Sequence, residues 1–258
     1  MELLHATYVT HEFTPHFHES FALGVIEKGS YSYRYRGSTR YIGEGQIVII
    51  NPGEVHTGRA TTETGWTYRM FYPGVLFMQS LAGEEQSGRP GNLIFPETVI
   101  QDRDMAIRLL VAHTAFNEND RLAYDSTVTE AFTGLIQRYA AGPWQEKQGP
   151  SRSSTSVDRA IEYMREHLSV TISLEDLSTI SGRSPYYFIR TFRNHTGLSP
   201  HTYLMNLRTR IARDLLRNGM PLAETAISAG FSDQSHMNRW FKRLLGFTPG
   251  NYVKGLET

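Results

Sequence analysis

Phe188-Ile189-Arg190-Thr191-Phe192-Arg193 and Met237-Asn238-Arg239-Trp240-Phe241-Lys242 are two versions of one stretch, 49 residues apart. The offset holds beyond them, where Gly197, Pro200 and Tyr203 correspond to Gly246, Pro249 and Tyr252. That many matches at one spacing mark a duplication, and each copy reads as helix, tight turn, helix. In the first, Leu174, Leu177 and Ile180 share a helical face that Gly182 ends; Ser184 is placed to cap the next helix and Pro185 to open it. In the second, Leu222, Ala226 and Ala229 run to Gly230, and Ser232 or Asp233 caps the second helix. Ser178 and Ala226 are small enough to let two helices cross closely. Between the copies Tyr203, Leu207, Ile211 and Leu215 recur every four residues, so one long helix joins them. Such units are helix-turn-helix pairs, whose second helix enters the major groove. A rigid connector would set two of them roughly 34 Å apart on one face of a duplex.

The outward faces of the two second helices agree with that use. With Phe188 and Phe192 turned inward, the first presents Tyr186, Ile189, Arg190 and Arg193. With Met237 and Phe241 inward, the second presents Gln234, Ser235, Asn238, Arg239 and Lys242. Arginine pairs with guanine, glutamine and asparagine with adenine, and lysine holds phosphate. A solvated helix face carries similar residues; two matched copies make the reading specific. Charge points the same way. The 258 residues hold 26 basic and 26 acidic side chains, but residues 1–150 carry 12 and 17 and residues 151–258 carry 14 and 9. An acidic half is joined to a basic one.

Gly230-Phe231-Ser232-Asp233-Gln234-Ser235-His236-Met237-Asn238-Arg239-Trp240-Phe241-Lys242-Arg243, with Gly246-Phe247-Thr248-Pro249 and Tyr252, resembles the signature of AraC/XylS-type bacterial transcription regulators. The resemblance covers about residues 157–253 and implies an all-α, seven-helix DNA-binding domain. Its partners would be operator DNA and RNA polymerase. Two positions depart from the pattern. Ile189 brings an apolar side chain to a reading position, and His236 is smaller and more polar than the aromatic often found there. Both bear on which bases are read.

The first half has another period. Over residues 8–75, short Val, Ile, Tyr and Phe runs are separated by Glu27-Lys28-Gly29-Ser30, Arg36-Gly37-Ser38 and Asn51-Pro52-Gly53, which read as turns. Tyr31, Tyr33 and Tyr35 alternate with Ser32 and Arg34. The spacing suggests a small antiparallel barrel or sandwich. From Asp102 the period is helical: Met105, Leu109, Ala112 and Phe116, then Val128, Phe132, Leu135, Ile136 and Tyr139. These two helices can pack on the sheet, pair with a second subunit, or do both. A homodimer is the expected assembly. Polar, flexible Gly149–Ser156 ends the half, so the reading is a sensor over 1–140, a linker over 141–156 and the DNA-binding domain over 157–258.

His16-Phe17-His18 places two imidazoles on one strand face, and His56 closes Asn51-Pro52-Gly53-Glu54-Val55-His56. This order resembles the two cupin motifs and the arabinose-binding-type sensor that commonly precedes such a DNA-binding domain. The implied fold class is α+β, a cupin-like β-barrel followed by helices and then the all-α domain. Candidate effector contacts are His16, His18, Tyr33, Arg36, His56 and Tyr68, toward a small polar molecule such as a sugar, amino acid or organic acid. The histidines suit zinc, iron or manganese. A metal-binding cupin usually adds a glutamate four or five residues after the second histidine, where this chain has Ala22 and Leu23. The expectation is therefore an effector and no cofactor. Two alternatives stay open, a metal-dependent cupin enzyme fused to a DNA-binding domain and a barrel that only dimerises.

Several classes are excluded. There is no cysteine, hence no disulfide framework, cysteine zinc site or thiol nucleophile. The longest aliphatic run, Ile47-Val48-Ile49-Ile50, is far below the roughly 18 apolar residues of a membrane span. Met1-Glu2-Leu3-Leu4-His5 has no signal-peptide pattern, and a cytoplasmic location is expected. His11-Glu12 and His18-Glu19 lack the zincin spacing, and no Gly-x-Ser-x-Gly or phosphate loop occurs. No enzyme is expected.

Overall fold

The computed structural model describes residues 1–82, 93–117, 121–141 and 154–256. They form two compact units, residues 1–11 with 17–147 and residues 12–16 with 148–258. In chain order the first elements are β1 (Glu2–Tyr8), β2 (Glu12–His16), β3 (Ala22–Tyr35), β4 (Ser38–Gly43), β5 (Ile47–Ile50), β6 (His56–Ala60), β7 (Trp66–Tyr72), α1 (Val75–Ala82), β8 (Val99–Ile100), α2 (Arg103–Thr114) and α3 (Arg121–Tyr139). All pairings are antiparallel along the path β1-β7-β3-β5-β8, with β4 and β6 also on β3.

Glu27-Lys28-Gly29-Ser30 is not a turn. β3 runs straight through it for 14 residues. The register against β7 slips between Ile26 and Lys28, so that Ile26 faces Tyr68 and Gly29 faces Trp66. One extra residue in a strand reverses the parity of everything after it. Leu23 and Val25 consequently face the helices, whereas Tyr31, Tyr33 and Tyr35 join Trp66 and Tyr68 on the opposite face. Gly29 has φ +70°, and a Cβ there would stand 2.1 Å from the Gly65 carbonyl oxygen. Only glycine fits the bulge. The turn at Arg36-Gly37 is a two-residue hairpin loop with both residues at positive φ, as the short β3–β4 connection requires.

The helical face of the sheet supplies Leu23, Val25, Ile47, Ile49 and Phe71 to a core completed by Met105, Leu109, Ala112, Val128, Phe132, Leu135 and Ile136. The expected stripes on α2 and α3 are thus buried within this core. Phe116 departs from them: α2 ends at Thr114, a 3-10 turn follows, and Phe116 is exposed against Tyr124. α1 is not legible in sequence as a helix, because Val75–Ala82 is apolar on most sides and lacks a polar face.

Asp102 ties the helix pair together. One carboxylate oxygen accepts the Met105 N–H at 3.0 Å, capping α2, and the other accepts from Arg138 at 2.9 Å and Tyr139 at 2.6 Å on α3. The Met105 bond first, then the Tyr139 hydroxyl, hold its carboxyl below the usual value. Asp102→Ala is expected to cost about 1–2 kcal/mol in thermal unfolding, with Asp102→Asn recovering the cap alone. Since the folded pKa is the lower one, the charge's contribution is present above the ordinary carboxylate value and is lost as pH falls through the folded value.

The second unit holds β2 and α4 (Ser154–Glu166), α5 (Leu174–Ser181), α6 (Pro185–Thr196), α7 (Pro200–Arg217), α8 (Leu222–Ser228), α9 (Gln234–Leu245) and α10 (Pro249–Leu256). Among the described residues seven helices follow residue 153, as the family resemblance implies. α4 begins at Ser154, inside the stretch expected to be linker, and Ser156 is buried in it. Composition marks that stretch as flexible, but serine and threonine also begin helices. The linker residues 142–153 lie outside the described ones. No helix among the described residues is long and apolar enough to cross a membrane.

Candidate nucleic-acid interface and effector site

The duplication persists in three dimensions. Phe188 and Phe192 on α6, like Met237 and Phe241 on α9, are fully buried. Gly197 and Gly246 close the two helices with N–H bonds to Arg193 and Lys242 carbonyls at 2.9 and 3.0 Å. Ser199 then accepts the Thr202 N–H and Thr248 the Asn251 N–H, each at 3.2 Å. Tyr203 and Tyr252 pack behind Phe192 and Phe241. α7 is the single connecting helix, and Ser178 and Ala226 are buried.

Every expected reading residue lies on a solvent-facing side. Tyr186, Ile189, Arg190 and Arg193 on α6 are exposed, as are Gln234, Ser235, Arg239 and Lys242 on α9; Asn238 is half-buried. The caps differ. Asp233, not Ser232, opens α9 by accepting the His236 N–H at 2.7 Å, and its carboxyl is held below the usual value chiefly by that bond. Ser184 occupies the cap position of α6 but makes no capping bond, and Pro185 sets the first turn alone. The faces are basic, polar and apolar in the mixture that base edges and phosphates require. Lys242 sits in the last turn of α9, away from the N-terminal reading residues. Lys242→Ala is expected to weaken all duplexes alike and to lower the salt slope of binding by about one phosphate contact, measured by anisotropy titrations across a salt series.

One bracing residue is invisible to sequence reasoning. Arg208, buried on α7, donates to the Leu168 carbonyl at 2.9 Å and the Val170 carbonyl at 2.7 Å. Gly230, at φ +84° between α8 and α9, lies against the same group: a Cβ there would be 1.9 Å from the Leu168 oxygen and 2.7 Å from Arg208 Nε. In sequence Arg208 is one more basic residue on a helix, and nothing separates it from a phosphate contact.

In the first unit, Tyr8, Tyr31, Trp66 and Tyr68 form one aromatic cluster. Trp66 stacks on Tyr31 at 5.1 Å, and Tyr8 lies 5.3 Å from Trp66 and 5.9 Å from Tyr68. Tyr68 is among the expected contacts. Trp66 and Tyr8 are not; Trp66 and Tyr68 alternate on one strand, which is the signal that finds Trp66, whereas Tyr8 lies on β1. Tyr33 is buried beside Tyr31 and donates to Thr98 Oγ1 at 2.8 Å. Burial pushes Tyr8 and Tyr33 up to about 12, and Tyr31 and Tyr68 well above their usual value, so all four stay protonated. Arg36 stands at the exposed β3–β4 turn, paired with Glu54 and over the Tyr35 ring. Arg69, on the opposite face of β7, is engaged by Glu27 at 2.8 Å and by His113.

His18 packs between His56, at 5.1 Å, and Tyr72, at 5.2 Å. His56 is pushed down to about 4 by burial and is neutral. The Nδ1 atoms of His16 and His56 contact the Thr14 and Glu54 carbonyls at 2.8 and 3.0 Å, so each Nδ1 carries a proton, and in the neutral His56 ring Nε2 holds the lone pair. Of the three histidines, His18 and His56 belong to the first unit and His16 to the second. At the two positions where a metal-binding cupin usually carries its glutamate, Ala22 and Leu23 are buried and apolar.

Comparison with known proteins gives this geometry its context. Residues 1–151 match the model of the AraC-like ligand binding domain, and residues 177–255 that of a helix-turn-helix domain. The chain is 28% identical over 230 residues to the uncharacterized HTH-type transcriptional regulator YbfI of Bacillus subtilis (strain 168), covering 89% of this chain and 82% of that one. It is 21% identical over 254 residues to the HTH-type transcriptional activator RhaS of Klebsiella pneumoniae (strain 342), covering 95% and 89%. Among solved structures, ToxT from Vibrio cholerae O395 superposes with a TM-score of 0.60 at 12% identity, over 98% of each chain, which is a likeness of fold.

Proposed function

The chain belongs to the AraC family, with a ligand-binding domain followed by a helix-turn-helix domain, and on that premise we propose that it is a one-component transcription regulator. The observation that carries this reading is the pair of matched helices, α6 and α9, whose expected reading side chains, all exposed but the half-buried Asn238, stand on equivalent buried frames. Each enters a major groove, α7 fixes their separation, and the regulator so placed recruits or releases RNA polymerase. It acts as a homodimer. The apolar side chains Ile107 and Val111, exposed one turn apart on α2, support that assembly.

The N-terminal unit binds the effector among Tyr8, Tyr31, Tyr68, His18 and His56. Protonated phenols donate and a neutral imidazole accepts, whereas Arg36 and Arg69 are each neutralised by a glutamate. That chemistry suits an uncharged, hydroxyl- or amide-bearing molecule better than a carboxylate. The effector acts by binding one conformation of the regulator more tightly than another. The protein catalyses nothing. The test is a titration of the full chain with neutral polyols, amides and carboxylates, read both as thermal shift and as affinity for a selected duplex. A neutral compound that stabilises the protein and moves DNA affinity is expected; stabilisation by carboxylates alone would overturn the pocket chemistry, and a shift without change in DNA affinity would overturn the coupling.

A further inference from the structure

His236 sits in the first turn of α9 and is not needed to anchor that helix, because Met237, Trp240, Phe241 and Leu244 are buried beneath it. Its ring is nonetheless fully engaged. The Trp240 indole Nε1–H donates to His236 Nε2 at 3.0 Å. An acceptor at Nε2 puts the ring proton on Nδ1, which therefore donates to Ser232 Oγ at 3.1 Å. Ser232 in turn donates to Asp233 Oδ2 at 3.0 Å, and Asp233 Oδ1 takes the His236 N–H at 2.7 Å. Burial first, and the Arg239 charge second, keep the imidazole neutral, as the accepted indole bond requires. The Trp240 ring is held from its other sides by His201, at 5.7 Å, and by the Arg243 guanidinium, at 5.0 Å. Ser232, Asp233, Gln234 and Ser235 are all exposed, so this closed circuit of side-chain bonds is what orders the solvent-facing turn.

We propose that His236 is a positioning residue for base reading: by joining Trp240 to the Ser232–Asp233 cap it fixes the orientation of Gln234, Ser235 and Arg239, and so sets sequence discrimination rather than bulk affinity. This rests on the reading that α9 enters DNA. His236 and Trp240 act as one unit, because neither bond partner has its orienting effect without the other.

The test uses the full chain to select duplexes from a random pool, then measures the affinity ratio of a selected duplex to a scrambled one. His236→Phe and Trp240→Phe are each expected to lower that ratio about three- to tenfold, the scale of one hydrogen bond, with the double variant no lower than either single one. His236→Gln, whose amide oxygen can accept the indole N–H, is expected to stay within about twofold of the natural ratio. Far-UV melting of each variant separates loss of fold from loss of discrimination. Should His236→Phe fail to fold, Ser232→Ala at an exposed position carries the same expectation. Phe variants with an unchanged ratio, or a Gln variant that falls with them, would overturn the proposal. Selection of no duplex by the natural chain overturns instead the DNA reading on which it stands.

Discussion

Gly230→Ala is expected to destabilise the helical unit by about 3–5 kcal/mol and to abolish discrimination between duplexes. Two costs combine. The residue's φ of +84° is a left-handed conformation that costs an alanine about 1–2 kcal/mol. The new Cβ would also stand 1.9 Å from the Leu168 oxygen and 2.7 Å from Arg208 Nε, so the Arg208 Nε–H bond to the Leu168 carbonyl must break. Charge-assisted bonds of this kind contribute about 1.5–3 kcal/mol each. Gly219→Ala is the control. Its φ is also +84°, but nothing lies within 4 Å of its added Cβ, and only the conformational cost of about 1–2 kcal/mol is expected. Denaturant unfolding of the full chain, followed by helical signal, checks both. Equal losses at the two positions would show that the Arg208 brace contributes nothing.

The second large effect is on binding. Arg190 and Arg239 occupy equivalent, exposed positions on α6 and α9, 49 residues apart in the repeat. A bidentate arginine–guanine contact accounts for about 1–3 kcal/mol of discrimination. Readers on separate grooves should be nearly independent, so the double variant Arg190→Ala/Arg239→Ala is expected to lose about 2–6 kcal/mol for a selected duplex. Each single variant should relax preference in its own block of bases and leave the other block intact. Losses equal for selected and scrambled duplexes would make both arginines phosphate contacts.

Much of the molecule is legible in sequence, unevenly. The helical half is readable because its repeat fixes each residue's role twice: an inward Phe192 is checked by an inward Phe241, and Gly197 by Gly246. The sheet half offers one copy of everything. Glu27-Lys28-Gly29-Ser30 has turn chemistry, yet long-range pairing of β3 with β7 overrides it and uses the glycine for a bulge. That bulge decides which face Tyr31, Tyr33 and Tyr35 occupy, so their place beside Trp66 cannot be read from alternation alone. Arg208 and Gly230 are a long-range pair, and local pattern carries no trace of it. His236 reads in sequence as a lesser aromatic; its part in the α9 turn depends on Trp240 four residues on.

The most direct measurement is the in vitro selection of genomic fragments by the purified full chain, with sequencing of the bound pool. Two enriched blocks separated by about one helical turn, roughly 10 base pairs, are predicted, with the upstream or downstream block lost selectively in Arg190→Ala and Arg239→Ala. A pool with no enriched sequence, or with one block unaffected by either substitution, would contradict the assignment of α6 and α9 as paired DNA readers.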